Sequence, residues 1–283
     1  MIQVNCDYTI AKDISFFMEA EQINSVELAE NTNISRTTLN ELFNGGNIRE
    51  DICEKLYSYI YEKNYRLNSV KEELAKETYN NVLFHGSKNG LSTISKTGSR
   101  DRCDFGNGFY LGETYSQALS FVYDRDKSSV YSFKYSLENL KVKHFKCDLE
   151  WMLTICYYRG TIGNYKDNEL IKRLVLEVEE ADVIIAPIAD NKMFYIMAQF
   201  TDGDINADVA LHSLSASNLG LQYIFKTDKA INQLEPIERY YLSNPEKEEC
   251  KKKSEERGFE IDTKLKLAKR EYKIGLYIEE ILK

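Results

Sequence analysis

The sequence predicts an α+β protein, with a small all-helical unit first and a larger region built on a sheet after it. Three observations point there. Up to about residue 64 the apolar residues recur at helical spacing, behind residues that cap helices. Beyond residue 81 the pattern changes to short runs rich in β-branched and aromatic residues, with helical stretches between them. The chain has 283 residues, 43% hydrophobic and 29% charged, which suffices to bury a real core in one large or two small domains.

In the first unit, Ile14, Phe17 and Met18 form an apolar stripe. Ser25 is placed to cap a second helix carrying Val26, Leu28 and Ala29, and Asn31 to Ile34 read as a tight turn. Ser35 can cap a third helix with Leu39, Leu42 and Phe43 inward, which Gly45-Gly46 ends. Ile52, Leu56 and Ile60 mark a fourth. Residues 66–79 read as a charged helical connector with Val70, Leu74 and Ala75 on its packing side.

The second region opens on Val82-Leu83-Phe84, a short strand ending in His85-Gly86-Ser87. Asp104 to Leu111 follows, with Gly106 and Gly108 forming a turn before Phe109-Tyr110, then a helix-like run from Thr114 to Tyr123. Strands are expected at Ser129–Leu137, Asp182–Pro187 and Leu219–Thr227, and helices at Leu149–Tyr158, Leu170–Glu179, Phe194–Phe200 and around Ala207 to Leu211. Residues 229–242 read as a helix or a strand pair. The implied division is a helical unit at 1–64, a helical linker at 65–80, a core at 81–242 and a helical extension at 243–283.

Charge and composition narrow the function. A net charge of −8 argues against a generic nucleic-acid or anionic-membrane binder. No run reaches the length of a membrane span, and the first residues lack a basic segment followed by an apolar one, so a cytoplasmic location without membrane contact is expected. The six cysteines show no C-x-x-C spacing and read as free thiols, and the three histidines show no ligand spacing, so no metal is expected.

Ser25 to Phe43 resembles the helix-turn-helix of the phage-repressor-like class. The resemblance implies that Arg36, Thr37, Thr38 and Asn40 face a major groove. Residues 1–64, however, hold five basic side chains against eleven acidic ones, and phosphate neutralisation dominates such affinity. A protein-interaction or scaffolding role is therefore expected ahead of DNA binding.

Three motifs in order carry a second resemblance: Leu83-Phe84-His85-Gly86-Ser87, Phe105 to Leu111, and Leu221-Gln222-Tyr223-Ile224-Phe225. Together they resemble the ADP-ribosyltransferase superfamily of the diphtheria-toxin and poly(ADP-ribose) polymerase type, and more narrowly a bacterial branch of it. That resemblance implies a split antiparallel sheet flanked by helices, with NAD as substrate. It implies NAD contacts from His85, Gly86, Ser87, Gly108, Tyr110 and Asp190, with Tyr110 and Gln222 as the catalytic pair. Gly86 would pair with the nicotinamide carboxamide through its backbone, Tyr110 would stack on the nicotinamide, and His85 would bond a ribose hydroxyl. Arg159 reads first as a surface or salt-bridged arginine, and second as the cation that an NAD pyrophosphate needs.

Gln222 stands where the family usually has glutamate, so single ADP-ribose transfer is expected rather than chain elongation. The base would then come from the substrate or from another carboxylate, with Asp190 and Glu113 as candidates. The implied protein is a bacterial toxin or phage-defence effector that modifies a protein or nucleic acid and is held in check by a cognate antitoxin. The alternatives are an NAD glycohydrolase and a DNA-binding regulator whose NAD-binding domain is inactive.

Overall fold

The computed structural model describes residues 2–99, 102–215 and 219–283. A two-residue strand, β1 (Ile2–Gln3), precedes four helices: α1 (Ile10–Ala20), α2 (Ser25–Thr32), α3 (Arg36–Phe43) and α4 (Glu50–Glu62). The cap of α2 is Asn24, one residue before the expected Ser25. Its side chain accepts from the amides of Val26 and Glu27, while Glu27 reaches back to the Asn24 amide. Ser35 caps α3 as expected, accepting from the Thr38 amide. Ile14, Phe17, Leu28, Leu39, Leu56 and Ile60 meet in one small core.

Helix α5 (Leu67–Tyr79) buries Ala75 as expected, but it turns Leu74 outward and polar residues inward. Leu74 is 44% exposed, whereas Leu67, Asn68, Lys71 and Ala75 are buried. The polar side can be buried because its donors, the Lys71 ammonium and the Asn68 amide nitrogen, are paired. Lys71 Nζ lies 2.8 Å from Asp13 of α1 and 3.1 Å from Glu238, and Asn68 donates to Tyr115 and to the Tyr241 carbonyl.

The sheet region runs through β2 (Val82–Ser87), β3 (Thr93–Ile94), β4 (Phe109–Gly112), α6 (Tyr115–Ser120), β5 (Ser129–Tyr135) and β6 (Val142–His144). Next come α7 (Leu149–Arg159), α8 (Glu169–Glu179), β7 (Val183–Pro187), α9 (Asn191–Thr201) and α10 (Ala207–Ser215). The chain closes with β8 (Leu221–Phe225), α11 (Asp228–Ile231), β9 (Leu234–Tyr240), α12 (Asn244–Glu271) and α13 (Ile278–Ile281). The 7-stranded sheet has the order β6-β7-β8-β4-β2-β5-β9.

Two features depart from expectation. The sheet is mixed rather than wholly antiparallel, because β6 and β7 run parallel, joined by the crossover through α7 and α8. Phe109 and Tyr110, expected within a Gly108-Phe109-Tyr110 turn into a helix, lie instead in strand β4 against β8. Strand β2 also continues past Phe84, pairing with β5 as far as Ser87↔Ser129. Between β2 and β4 the pairing is a single position, Phe84↔Gly112.

Alternation along the strands divides two cores. Leu83, Phe109, Leu111, Phe133, Ile185 and Phe225 face one side, where Val4, Ile94 and Ile231 cover them. On the other side Ile184, Ala186 and Ile224 lie under helices α7 to α10, and Phe84 and Val130 lie under α6. Helix α12, 28 residues and roughly 42 Å long, packs along α4, α6, α9 and α10. Near its start Glu249 takes the Tyr61 hydroxyl and Arg66; toward its end Asp262 pairs with Lys192 and Lys269 with Gln199. No helix among the described residues is long and apolar enough to cross a membrane.

Candidate functional site

A cleft of about 500 Å³ opens where β2 and β4 part. The register explains which backbone faces it. Tyr135 N–H donates to Asn81 C=O at 3.2 Å, so the odd-numbered residues of β2 exchange hydrogen bonds with β5. Even-numbered Phe84 and Gly86 therefore aim their peptide groups toward β4. Phe84 meets Gly112 there, and the Gly86 edge looks into the cleft. Gly86 must be glycine for a reason the sequence does not display: a Cβ would lie 2.3 Å from the carbonyl oxygen of Ala118 in α6.

His85 points to the opposite face and stacks on Phe109, centroids 4.4 Å apart. Its Nδ1 lies 2.8 Å from the Tyr110 carbonyl oxygen. A carbonyl only accepts, so Nδ1 carries the proton and Nε2 keeps its lone pair. Burial pushes the imidazole below its ordinary pKa, against the opposing pull of that hydrogen bond, which favours the neutral ring.

Tyr110 projects from β4 with its hydroxyl donating to Gly106 C=O at 2.7 Å and accepting from Phe105 N–H at 3.1 Å. Burial holds this phenol well above its usual range. The ring is thereby a fixed wall of the cleft. Ser87 also lines the cleft, but its hydroxyl donates to Gly90 C=O at 2.6 Å and so shapes the rim. Gly108 allows β4 to close on β8, since a Cβ there would sit 2.5 Å from the Ile224 side chain. The rim strand β3 is braced from outside by β1, through Ile2↔Ile94 and Gln3↔Thr93.

The two acids that are candidates for a base are otherwise employed. The Asp190 carboxylate caps α9, accepting from the Met193 amide at 2.8 Å, and Asp190 is not among the residues lining the cleft. Glu113 accepts from the Leu221 amide at 3.0 Å. Gln222 does reach the cleft, and it brings two residues with it. Its Nε2 donates to Asp104 Oδ2 at 3.0 Å and to Pro187 C=O at 3.1 Å. Asp104 Oδ1 takes Arg159 Nε at 2.7 Å and Nη2 at 2.5 Å. Arg159 takes the salt-bridged one of its expected readings and holds a buried carboxylate, with Phe194 under its guanidinium at 4.6 Å.

Of the expected residues, His85, Gly86, Ser87, Gly108, Tyr110, Arg159 and Gln222 share the cleft. Asp104 was not singled out by sequence reasoning. Its only signal was its place at the head of the Asp104 to Leu111 motif. Among the described residues no group of three or more histidines, cysteines or acids is placed to hold a metal.

Residues 81–235 match the model of a family described as a protein of unknown function, DUF3990. No curated protein and no solved structure matches the chain.

Proposed function

The chain belongs to the DUF3990 family, and from the chemistry of the cleft we propose that it is an NAD-dependent mono-ADP-ribosyltransferase. One observation carries the reading: three motifs far apart in sequence supply the walls of a single cleft whose polar groups suit the nicotinamide end of NAD. Its volume of about 500 Å³ lies within the usual range for small-molecule sites.

The Gly86 peptide edge presents a donor and an acceptor side by side, the complement of a carboxamide. The Tyr110 ring, fixed at its hydroxyl, offers a flat face to a cationic aromatic ring. Neutral His85 offers Nε2 as an acceptor for a ribose hydroxyl. Gln222 offers its carbonyl oxygen as another. The reaction breaks the bond between ribose C1′ and the nicotinamide nitrogen, which keeps the electron pair. C1′ then bonds to the acceptor, whose proton is released. The residues of the cleft contribute by orientation and by directed dipoles, and the site suits one transfer onto a competent nucleophile.

The test is incubation with NAD labelled in its adenosine half, together with a bacterial lysate. Nicotinamide release with label on protein or nucleic acid, lost in His85→Ala and Tyr110→Ala, supports transfer. Release without label makes the protein a glycohydrolase. No NAD consumption, together with a salt-sensitive DNA shift that depends on Arg36, overturns the reading in favour of a regulator. Arg36, Thr37 and Asn40 are exposed on α3, so such a contact is sterically open. A role as toxin or phage-defence effector further predicts growth arrest on expression, relieved by an antitoxin.

A further inference from the structure

Among the described residues Asp104 is the one acid that lines the cleft, and none of the steps above uses it. Its side chain is 7% exposed, and its side-chain hydrogen bonds to the described residues point two ways: Oδ1 to Arg159 and Oδ2 to Gln222. The neighbours of the Gln222 amide remove any ambiguity about its orientation. Asp104 Oδ2 and Pro187 C=O can only accept, so the atom between them is Nε2. Oε1 is then the branch left to take a donor from the cleft. A glutamate at the same place would set an oxygen against both acceptors, one of them a charged carboxylate held by Arg159. Two carboxylates at that separation cannot both ionise without cost.

We propose that Asp104 is a positioning residue for Gln222: it locks the amide with Oε1 toward the cleft and dictates that β8 carry glutamine, not glutamate, there. The glutamine is then not a lost acid. The acid has moved to the loop before β4, and acid and amide act as one unit. Use of Oε1 on a ribose hydroxyl rests on the NAD reading; the locked pair does not.

Four proteins test this: the unaltered chain, Asp104→Asn, Gln222→Glu and the double variant. At pH 7.5, Gln222→Glu alone is expected to lower the melting temperature by about 5 °C or more. At pH 5 the loss shrinks, since the two carboxyls can share a proton. Adding Asp104→Asn restores most of the loss, because the new amide can donate to the new carboxylate and still accept from Arg159. In nicotinamide release, Asp104→Asn alone is expected to lower kcat about tenfold with KM for NAD changed less than about twofold, since the freed amide can turn. The double variant recovers part of that kcat.

Equal loss of melting temperature from Gln222→Glu with and without Asp104→Asn overturns the pairing. An unchanged kcat in Asp104→Asn overturns the positioning role. If the unaltered protein consumes no NAD, the NAD reading fails, and the melting-temperature cycle alone decides the pair.

Discussion

His85 and Tyr110 are joined through the backbone: the imidazole Nδ1 donates to the Tyr110 carbonyl oxygen at 2.8 Å, across the gap between β2 and β4. One hydrogen bond thereby sets the tautomer of the histidine and ties the strand carrying it to the strand carrying the tyrosine. Burial lowers the imidazole pKa from 6.5, so Nε2 remains an acceptor through neutral pH. Nicotinamide release should therefore hold level near pH 7 and fall on an acid limb that lies below pH 6.5. His85→Ala should cost about tenfold or more in kcat/KM, the worth of one hydrogen bond of about 1.5 kcal/mol, and lose that limb. Steady-state assays from pH 5 to 8 check both.

Gly86 answers to packing as much as to any ligand. Gly86→Ala drives a methyl into the Ala118 backbone oxygen, 2.3 Å from where Cβ must stand, so α6 has to retreat. Destabilisation of about 1–3 kcal/mol is expected. At Gly108 the nearest obstacle is the end of the Ile224 side chain, 2.5 Å away, which can turn aside. Gly108→Ala should cost less. Urea unfolding of the two variants ranks them.

Lys71 is the buried cation between Asp13 and Glu238, its side chain 8% exposed. Lys71→Met leaves both carboxylates without their partner, at a cost of about 3–5 kcal/mol. Neutralising the acids as well, with Asp13→Asn and Glu238→Gln, should return most of it. A comparison of urea midpoints decides.

Glu246 predicts a pH dependence of the opposite sense from an ordinary salt-bridged acid. Burial raises its carboxyl from 4.5 to about 7, against the hydrogen bonds from Tyr115 and Asn68 that favour the anion. Between those values the folded protein holds a proton that the unfolded chain has released. Stability is therefore lost as pH rises through that window, by about 3 kcal/mol, and levels off above it. Glu246→Gln should remove that slope. The difference between the two urea-midpoint profiles isolates it from the remaining acids.

Much of the architecture was legible in local patterns. Helical spacing marked the first four helices, and β-branched runs marked β5, β7 and β8. Strand β4 was not legible, since four residues behind two glycines carry little strand signal and its extension is imposed by pairing with β8. The inward face of α5 was legible only in part, for a related reason: Lys71 is buried only because Asp13 and Glu238 meet it, and both lie far away in the chain. In the cleft, His85, Gly86, Tyr110 and Gln222 could be picked out by motif. The bond from Asp104 to Gln222 spans 118 positions and follows no spacing rule.

Because the β2–β4 ladder is a single pair, helped by the His85–Tyr110 bond, the sheet divides into two halves at the cleft. One, β2-β5-β9, holds His85 and Gly86 and is tied to the N-terminal helices through Glu238. The other, β4-β8-β7-β6, holds Tyr110 and Gln222 and carries α9. Helix α12 is pinned to the first assembly at Glu249 and to the second at Asp262 and Lys269. One rod, lying outside the cleft, thus spans both of the assemblies that wall it.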